Sequence, residues 1–458
     1  MLRQKPIAYG LFTASVVLYA WLGYGMARHE TVVLLTAYVL VWGIYWWIIK
    51  QVRTEALDFW VYSALLFRLI FLFAVPALSD DFYRFIWDGR LWAAGYHPFK
   101  ELPTYYLQSE GEIPGIDAWL YERLNSKEYF TIYPPLAQAV FWIAVALFPN
   151  TVIGSVITMR IFILAAEVAS ILVMKKLLTR FHLDTRHVLL YALNPLVILE
   201  LTGNLHFEAL VICFLLLAIY LISQSRLVWA GVSFALSVCA KLVPLIFLPL
   251  FLVRLGWKKV TLFYAIILFT CLLLFAPLLS REVLYGMSQS LGLYFKRFEF
   301  NASMYYLVRE YGYWTKGYNI IQTAGWKLAL TSGLLILLVS WWPLRLLESI
   351  KARRPVRYPW HIPDYLHRVP PLMMWIWGIY LLFSTTIHPW YIVPMLALSV
   401  FTAFRFVVVW TALIFFTYAG YGATEFQENM FIVLMEYGTV MGYLLYELLW
   451  KRKSLVPS

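Results

Sequence analysis

DFWVYSALLFRLIFLFAVPALSDDFYRFIWDGRLWAAGYHPF, residues 58–99, sets a long apolar run directly before a stretch dense in acids and arginines. From 58 to 78 the only charges are Asp58 and Arg68, and at ~1.5 Å per residue such a run is long enough to cross a hydrocarbon core of ~30 Å. Asp80 and Asp81 are then expected at or just beyond the end of a membrane helix, at the boundary between lipid and water. The chain stays mixed over 79–130, where Pro98, Pro103 and Pro114 interrupt it. Amphipathic pieces such as FYRFIWDGRLWAAG (82–95) are expected to lie along the membrane surface as short helices.

Composition extends this reading to the whole chain. Of 458 residues 62% are hydrophobic and 14% charged, against ~45–50% and ~25% in soluble domains. The chain is therefore read as a polytopic membrane protein. Its 21 Trp and 32 Tyr suit aromatic belts, and its formal charge of +12 is accounted for by basic residues on the cytoplasmic side. That reading leaves no nucleic-acid partner to be inferred from the charge. Cys213, Cys239 and Cys271 lie in apolar runs without CxxC or Cys/His spacing, which suggests neither a disulfide framework nor a zinc site. The run up to Met26 lacks a small-residue cleavage site and is read as a retained helix.

Apolar segments at 7–26, 31–49 and 58–78, with Arg3, Lys5, Lys50 and Arg53 around them, place the loop bearing Asp80 on the outer face. Segments at 133–148 and 157–179 lead to Lys175, Lys176, Arg180 and Arg186, also expected inside. Two full crossings would end outside, so either the segment after Tyr133 is short and re-entrant, the reading favoured here, or the charge bias misleads over this stretch. Alternation continues through 187–203, 207–223, 227–240, 242–253 and 260–279 to a second outer loop, 280–326. The segment 327–347 then leads to Lys351, Arg353, Arg354 and Arg357, and segments at 370–387, 390–404, 406–421 and 429–449 to Lys451, Arg452 and Lys453. The expectation is one all-α membrane domain over 1–458 with about 12 to 14 crossings and both termini cytoplasmic. Asp80, Asp81, His206, Glu208, Lys241 and His388 all fall at outer helix ends in this scheme.

Each polar group has a structural and a functional reading. Asp80 and Asp81, with Arg84, Asp88 and Arg90, can cap a surface helix, or supply a general base, a substrate clamp or ligands for a divalent cation such as Mg²⁺ or Mn²⁺. TIYPPL (131–136) suits the first turn of a helix, and Tyr133 also offers a sugar a stacking face and a hydroxyl. In NPLVILELTGNLHFEAL (194–210), Glu200, Asn204, His206 and Glu208 cluster at a turn, where a binding role stands beside that of an interfacial histidine. Lys241 either extends its ammonium to the interface or offsets the charge of a lipid phosphate. IHPWYIVP (387–394) places His388 next to belt aromatics, or at a phosphate; Lys296 and Arg297 offer the same with less support.

Taken together, SDDFYRFIWDGRLWAAGYHPF (79–99), YPPL (133–136), NPL with GNLHFE (194–208), AKLVPL (240–245) and HPWY (388–391) resemble the GT-C glycosyltransferases. These are multi-helix membrane enzymes that use polyprenyl-phosphate-linked sugars, and the resemblance is strongest to the bacterial polyprenol-phosphomannose-dependent mannosyltransferases. It covers most of the chain from 79 to 391 in order and side. It implies that Asp80 or Asp81 deprotonates the acceptor hydroxyl as that oxygen attacks the anomeric carbon, with polyprenyl phosphate leaving. It further implies a phosphate site at outer helix ends, with Lys241 and His388 as its residues here. The expected reaction is transfer of a hexose, with mannose indicated by the resemblance alone, to a glycan or glycolipid acceptor, with inversion. The expected location is the bacterial cytoplasmic membrane with the site on its periplasmic face. In the simplest layout of that family the acid loop follows the first helix, whereas here two helices come before the one leading into it.

A secondary transporter or lipid flippase is the alternative. Transporter sites lie near the bilayer midplane, often between repeated halves. Here no repeat is visible and the polar residues gather at one face. A structural or assembly subunit accounts for neither the acid loop nor that convergence.

Overall fold

A computed structural model describes residues 4–108, 113–278, 280–296, 298–341, 366–421 and 426–450. Arg3, Arg297, Lys351, Arg353, Arg354, Arg357, Lys451, Arg452 and Lys453 lie outside them, as does the side chain of Lys296. Among the described residues the architecture is all-α, with two isolated bridges, Phe300 to Thr386 and Tyr421 to Phe426. This is a polytopic membrane protein. Six helices among the described residues are long and apolar enough to cross a bilayer: Pro6–Tyr24, Thr31–Gln51, Val152–Arg180, Trp257–Leu278, Ile321–Trp341 and Met430–Leu449. Pro195–Gly203 and Glu208–Ser223 form an apolar pair bent by 112° at its break, the geometry of a broken span or a re-entrant loop.

Several segments that look like full crossings in the sequence are shorter. Leu227–Ala240, Val243–Arg254, Pro389–Ser399 and Phe406–Gly420 are apolar helices of 10–17 residues. Two of them carry internal prolines, at Pro244 and Pro249 and at Pro394, which tighten or interrupt the helical ladder. The segment after Tyr133 is likewise brief: Pro135–Leu147 has 13 residues, or about 20 Å at the helical rise, less than a hydrocarbon core. It lies along the helix Asp81–Ala93, with Gly89 close against the backbone of Phe141 and Arg90 reaching the Pro149 carbonyl.

The apolar run at 58–78 also differs from a simple helix, and the difference positions the acids. Helix ends at Ile70 and turns carry the chain through Pro76 to Asp80. The carbonyls freed at such an end need partners. Arg160, fully buried on Val152–Arg180, donates to Leu72 and Ala74 at 3.0 and 2.6 Å and to Thr202 and Gly203 at 2.8 and 3.0 Å. One guanidinium thus ties the turn after Leu57–Ile70 to the end of the π-helical turn Ile198–Gly203. Asp80 and Asp81 follow the first of these and Asn204 and His206 the second. Deeper in the bundle Arg68 and Glu167, both fully buried, form a bidentate pair at 2.9 and 3.0 Å, with Tyr191 and Thr202 also on the carboxylate.

At the opposite end from Asp80, Lys175 pairs with Asp58 at 2.7 Å and Arg186 donates to the Val52 carbonyl at 3.3 Å. The amphipathic helices Arg281–Lys296 and Met304–Lys316 fold back toward the acid end. There Ser290 donates to the Phe130 carbonyl, and backbone bonds join Phe300 to Thr385 and Ile387.

Candidate active site

Asp80 and Asp81 line a cavity of about 280 Å³ together with Arg28, Arg84, Asn125, Tyr133, Lys241, His388, Trp390 and Tyr421. The chain reaches it by breaking helices near their ends, which leaves polar groups and backbone facing one space. The Asp80 side chain, 40% exposed, accepts from Arg28 at 2.9 Å. Arg28 in turn lies 4.5 Å over the Tyr421 ring and bonds the Leu78 carbonyl. Asp81 accepts from the Asn125 amide at 2.7 Å, and its own backbone amide is held by the Ser79 hydroxyl. The two acids therefore have different partners, a guanidinium for one and a neutral amide for the other.

Across the cavity Lys241 contacts Glu208 and lies 4.8 Å over the Tyr391 ring. An ammonium has three donors, so the contact with Glu208 leaves others for a ligand. Trp390 is stacked between two histidines, with ring centroids 3.7 Å from His206 and 4.5 Å from His388. Phe300 lies against the His388 ring as well. Burial, with His206 and Lys241 nearby, pushes the His388 imidazole down to about 3. His388 accordingly meets the cavity as a neutral hydrogen-bonding ring rather than as a charge.

The other residues singled out in the sequence are held by partners of their own. Arg84 reaches the cavity but is engaged by Asp88 at 2.8 Å and by the carbonyls of Ser126 and Tyr129, so it fastens the loop that carries Asn125. Asp88 is fully buried and also accepts from Gln138 at 3.0 Å. Arg90 is buried against the Gly115 carbonyl at 2.5 Å. These bonds make Asp88 and Arg90 scaffold, outside the cavity lining. Asn204 accepts from the Leu78 amide at 3.3 Å and donates to Glu200, which ties the segment before the acids to the break at 204–207. His206 is buried with its Nε2 3.4 Å from Glu200 but without hydrogen-bond geometry.

Arg28, Asn125 and Tyr421 were not singled out in the sequence. Arg28 has a legible signal: ARHE, residues 27–30, separates two apolar runs on the same expected face as Asp80. Asn125 and Tyr421 carry none. Among the described residues no group of three His, Cys, Asp or Glu gathers as a metal site. Asp80 and Asp81 by themselves supply at most two carboxylates, and one of them is already matched by Arg28.

A second cavity, about 370 Å³, adjoins the first, and Ile132, Lys241 and Tyr391 line both. Its other walls are mostly apolar, from Val243, Ile246, Ile336 and Trp377, with Ala329 and Gly333 leaving room on the helix Ile321–Trp341. A third, wholly apolar space of about 450 Å³ shares Ile246, Ala329, Gly333 and Ile336 with it and is bounded by Trp326, Leu330 and Leu334. Those last three side chains are exposed on the outside of the bundle. The polar cavity thus shares Lys241 with an apolar cavity, which in turn shares four residues with a space bounded by side chains exposed on the outside of the bundle.

The model of the α-(1→6)-mannopyranosyltransferase family, N-terminal domain, matches residues 8–256. The chain belongs to this family. The family is one of glycosyltransferases, which ranks the enzyme reading above the transporter alternative. The structure is also similar to the oligosaccharyltransferase of Archaeoglobus fulgidus in its apo form, at 13% identity and a TM-score of 0.36. That similarity covers 84% of this chain and 55% of the other, so this mannosyltransferase-family chain spans about half the length of that protein. No curated protein matches the sequence.

Proposed function

We propose that this enzyme transfers a mannosyl unit from a polyprenyl-phosphate donor to a hydroxyl of a glycan or glycolipid acceptor. The reaction would take place in the Asp80–Asp81 cavity, at the periplasmic face of a bacterial cytoplasmic membrane. One observation carries the reading: Lys241 lines both the polar cavity that holds the two carboxylates and the apolar cavity that adjoins it. A lipid-linked sugar has that same division, with a polar head and phosphate on one side of a short linkage and a hydrocarbon tail on the other.

In this reading the prenyl tail occupies the apolar cavity and the phosphate meets Lys241 and the neutral His388. The sugar then projects toward Asp80 and Asp81. The acceptor oxygen forms a bond to the anomeric carbon as the bond from that carbon to the phosphate oxygen breaks, and polyprenyl phosphate leaves. The acceptor proton passes to a carboxylate, for which Asp81 is favoured. Asn125 orients Asp81 without cancelling its charge, whereas Arg28 balances that of Asp80. Lys241 offsets the charge that grows on the departing phosphate, and the cavity walls hold donor and acceptor in line. A single displacement of this kind inverts the anomeric centre.

The test is transfer of radiolabelled mannose from polyprenyl-phosphate-mannose to extractable glycan in membranes containing the native chain. Native membranes are expected to label glycan and Asp81→Asn membranes, at matched protein level, to give background. NMR of the product is expected to show the new linkage with the anomeric configuration opposite to that of the donor. Absence of transfer from any polyprenyl-phosphate sugar would overturn the donor assignment, and a product of retained configuration would overturn the single displacement.

A further inference from the structure

We propose that Trp119, Tyr83 and Arg123 form a saccharide subsite just outside the cavity, where the sugar units behind the reacting one are held. The proposal rests on the glycosyl-transfer reading above and extends it to the acceptor, which becomes an oligosaccharide chain.

Trp119 sits on the short helix Ala118–Glu122 and is 48% exposed. Its neighbours Asp117, Glu122, Arg123 and Lys127 are charged, and Lys127 pairs with Glu122 at 3.2 Å, so the ring stands among polar groups rather than in hydrocarbon. There it is braced as a ledge. The Arg123 guanidinium carbon lies 4.0 Å over it and Arg123 Nη1 donates to the Trp119 carbonyl at 2.8 Å. The Tyr83 ring meets it edge-on, with centroids 6.1 Å apart at 79°.

This combination suits a pyranose. Its C–H face packs on an aromatic ring, while its hydroxyls exchange hydrogen bonds with a guanidinium and a phenol held beside that ring. The ledge is also joined to the reacting groups through the chain. Tyr83 follows Asp80 by one turn, with its amide on the Asp80 carbonyl at 3.2 Å. Asn125, two residues beyond Arg123, holds Asp81. The ledge is thus carried by the same two segments, 80–83 and 119–125, that hold the acids, whereas Lys241 and the apolar cavity come from other parts of the chain. Through these links an acceptor chain stretched over Trp119 is directed toward Asp81.

The full-length protein in lipid nanodiscs, without donor, is titrated with α-(1→6)-mannotetraose and with methyl α-mannoside by calorimetry. The native protein is expected to bind the tetrasaccharide about tenfold more tightly, a preference of the size that one stacked ring provides. Trp119→Ala is expected to bring the ratio of the two affinities close to one, Trp119→Phe to restore most of it, and Arg123→Gln to lower it severalfold. Native protein with no preference for length, or a preference that survives both Trp119→Ala and Arg123→Gln, overturns the subsite. Binding needs no donor. A length preference lost in Trp119→Ala, found together with no transfer from any lipid-linked sugar, would sustain the ledge and refute only the donor assignment.

Discussion

Two carboxylates seven residues apart in one acidic stretch have opposite surroundings. Asp88 is sealed between Arg84 and Gln138 with no exposure. Asp81 takes one hydrogen bond from a neutral amide and faces a cavity. Both belong to the helix Asp81–Ala93, so the difference arises from what each turn packs against. The first turn stands at the cavity wall, and the second is pressed on Pro135–Leu147, where Gly89 leaves no room for a side chain beside the Phe141 carbonyl. A buried, paired acid stabilises the loop around it, and one that keeps an open side can accept a proton. Asp81→Asn should sharpen this contrast most. Transfer is expected to fall by about 10³-fold, within the range of a lost general base, with the melting temperature in detergent unchanged. A fall in stability equal to the fall in activity would make Asp81 a second Asp88.

Asp88→Ala should do the reverse. It leaves the Arg84 guanidinium buried with one partner gone, and a broken buried pair typically costs about 3–5 kcal/mol. The expected result is a lower melting temperature and less folded protein, with turnover per folded molecule reduced much less than in Asp81→Asn. Lys241→Ala comes next in size. Removing a charged donor to a phosphate is expected to raise the donor KM by about 10- to 100-fold, the equivalent of one or two charge-assisted bonds. Its kcat should fall as well if Lys241 bears the leaving charge. An acceptor KM that moves instead would place the phosphate elsewhere.

Much of this arrangement is legible in the sequence. Asp80, Asp81, Lys241 and His388 each follow or precede an apolar run, and alternation of the runs is enough to set them at one end. Arg28 was equally open to that argument, since its short connection has the same parity, yet a lone arginine between two helices carries no pattern of its own. Asp88 and Arg90 were grouped with the acids above them because the sequence gives their charge but not their burial. The spacing of Arg84 and Asp88, four apart on a helix, does foreshadow their pairing. The shortened helices were the harder part. Prolines at 244, 249, 389 and 394 mark where ladders loosen, but whether a loosened segment crosses, bends or turns back depends on partners distant in sequence. Arg160 is such a partner, since its four carbonyl acceptors lie near 73 and 203. Cys239 and Cys271 make the same point, standing 4.0 Å apart without any spacing motif.

The pair Arg28–Asp80 should produce the smallest effect and the finest distinction. Its members are 29% and 40% exposed, and ion pairs so open to water contribute only about 0–1 kcal/mol to folding. Arg28→Gln is therefore expected to leave the melting temperature within error, in contrast to Asp88→Ala. Activity should respond differently. With its guanidinium gone, Asp80 loses one charge-assisted partner but the Asn125–Asp81 contact is untouched, so transfer is expected to fall by no more than about tenfold, the equivalent of that one bond. A loss in Arg28→Gln as deep as that in Asp81→Asn, with Asn125→Ala close to native activity, would mean that the acid held by Arg28 is the base. The comparison would then have to be redrawn around Asp80.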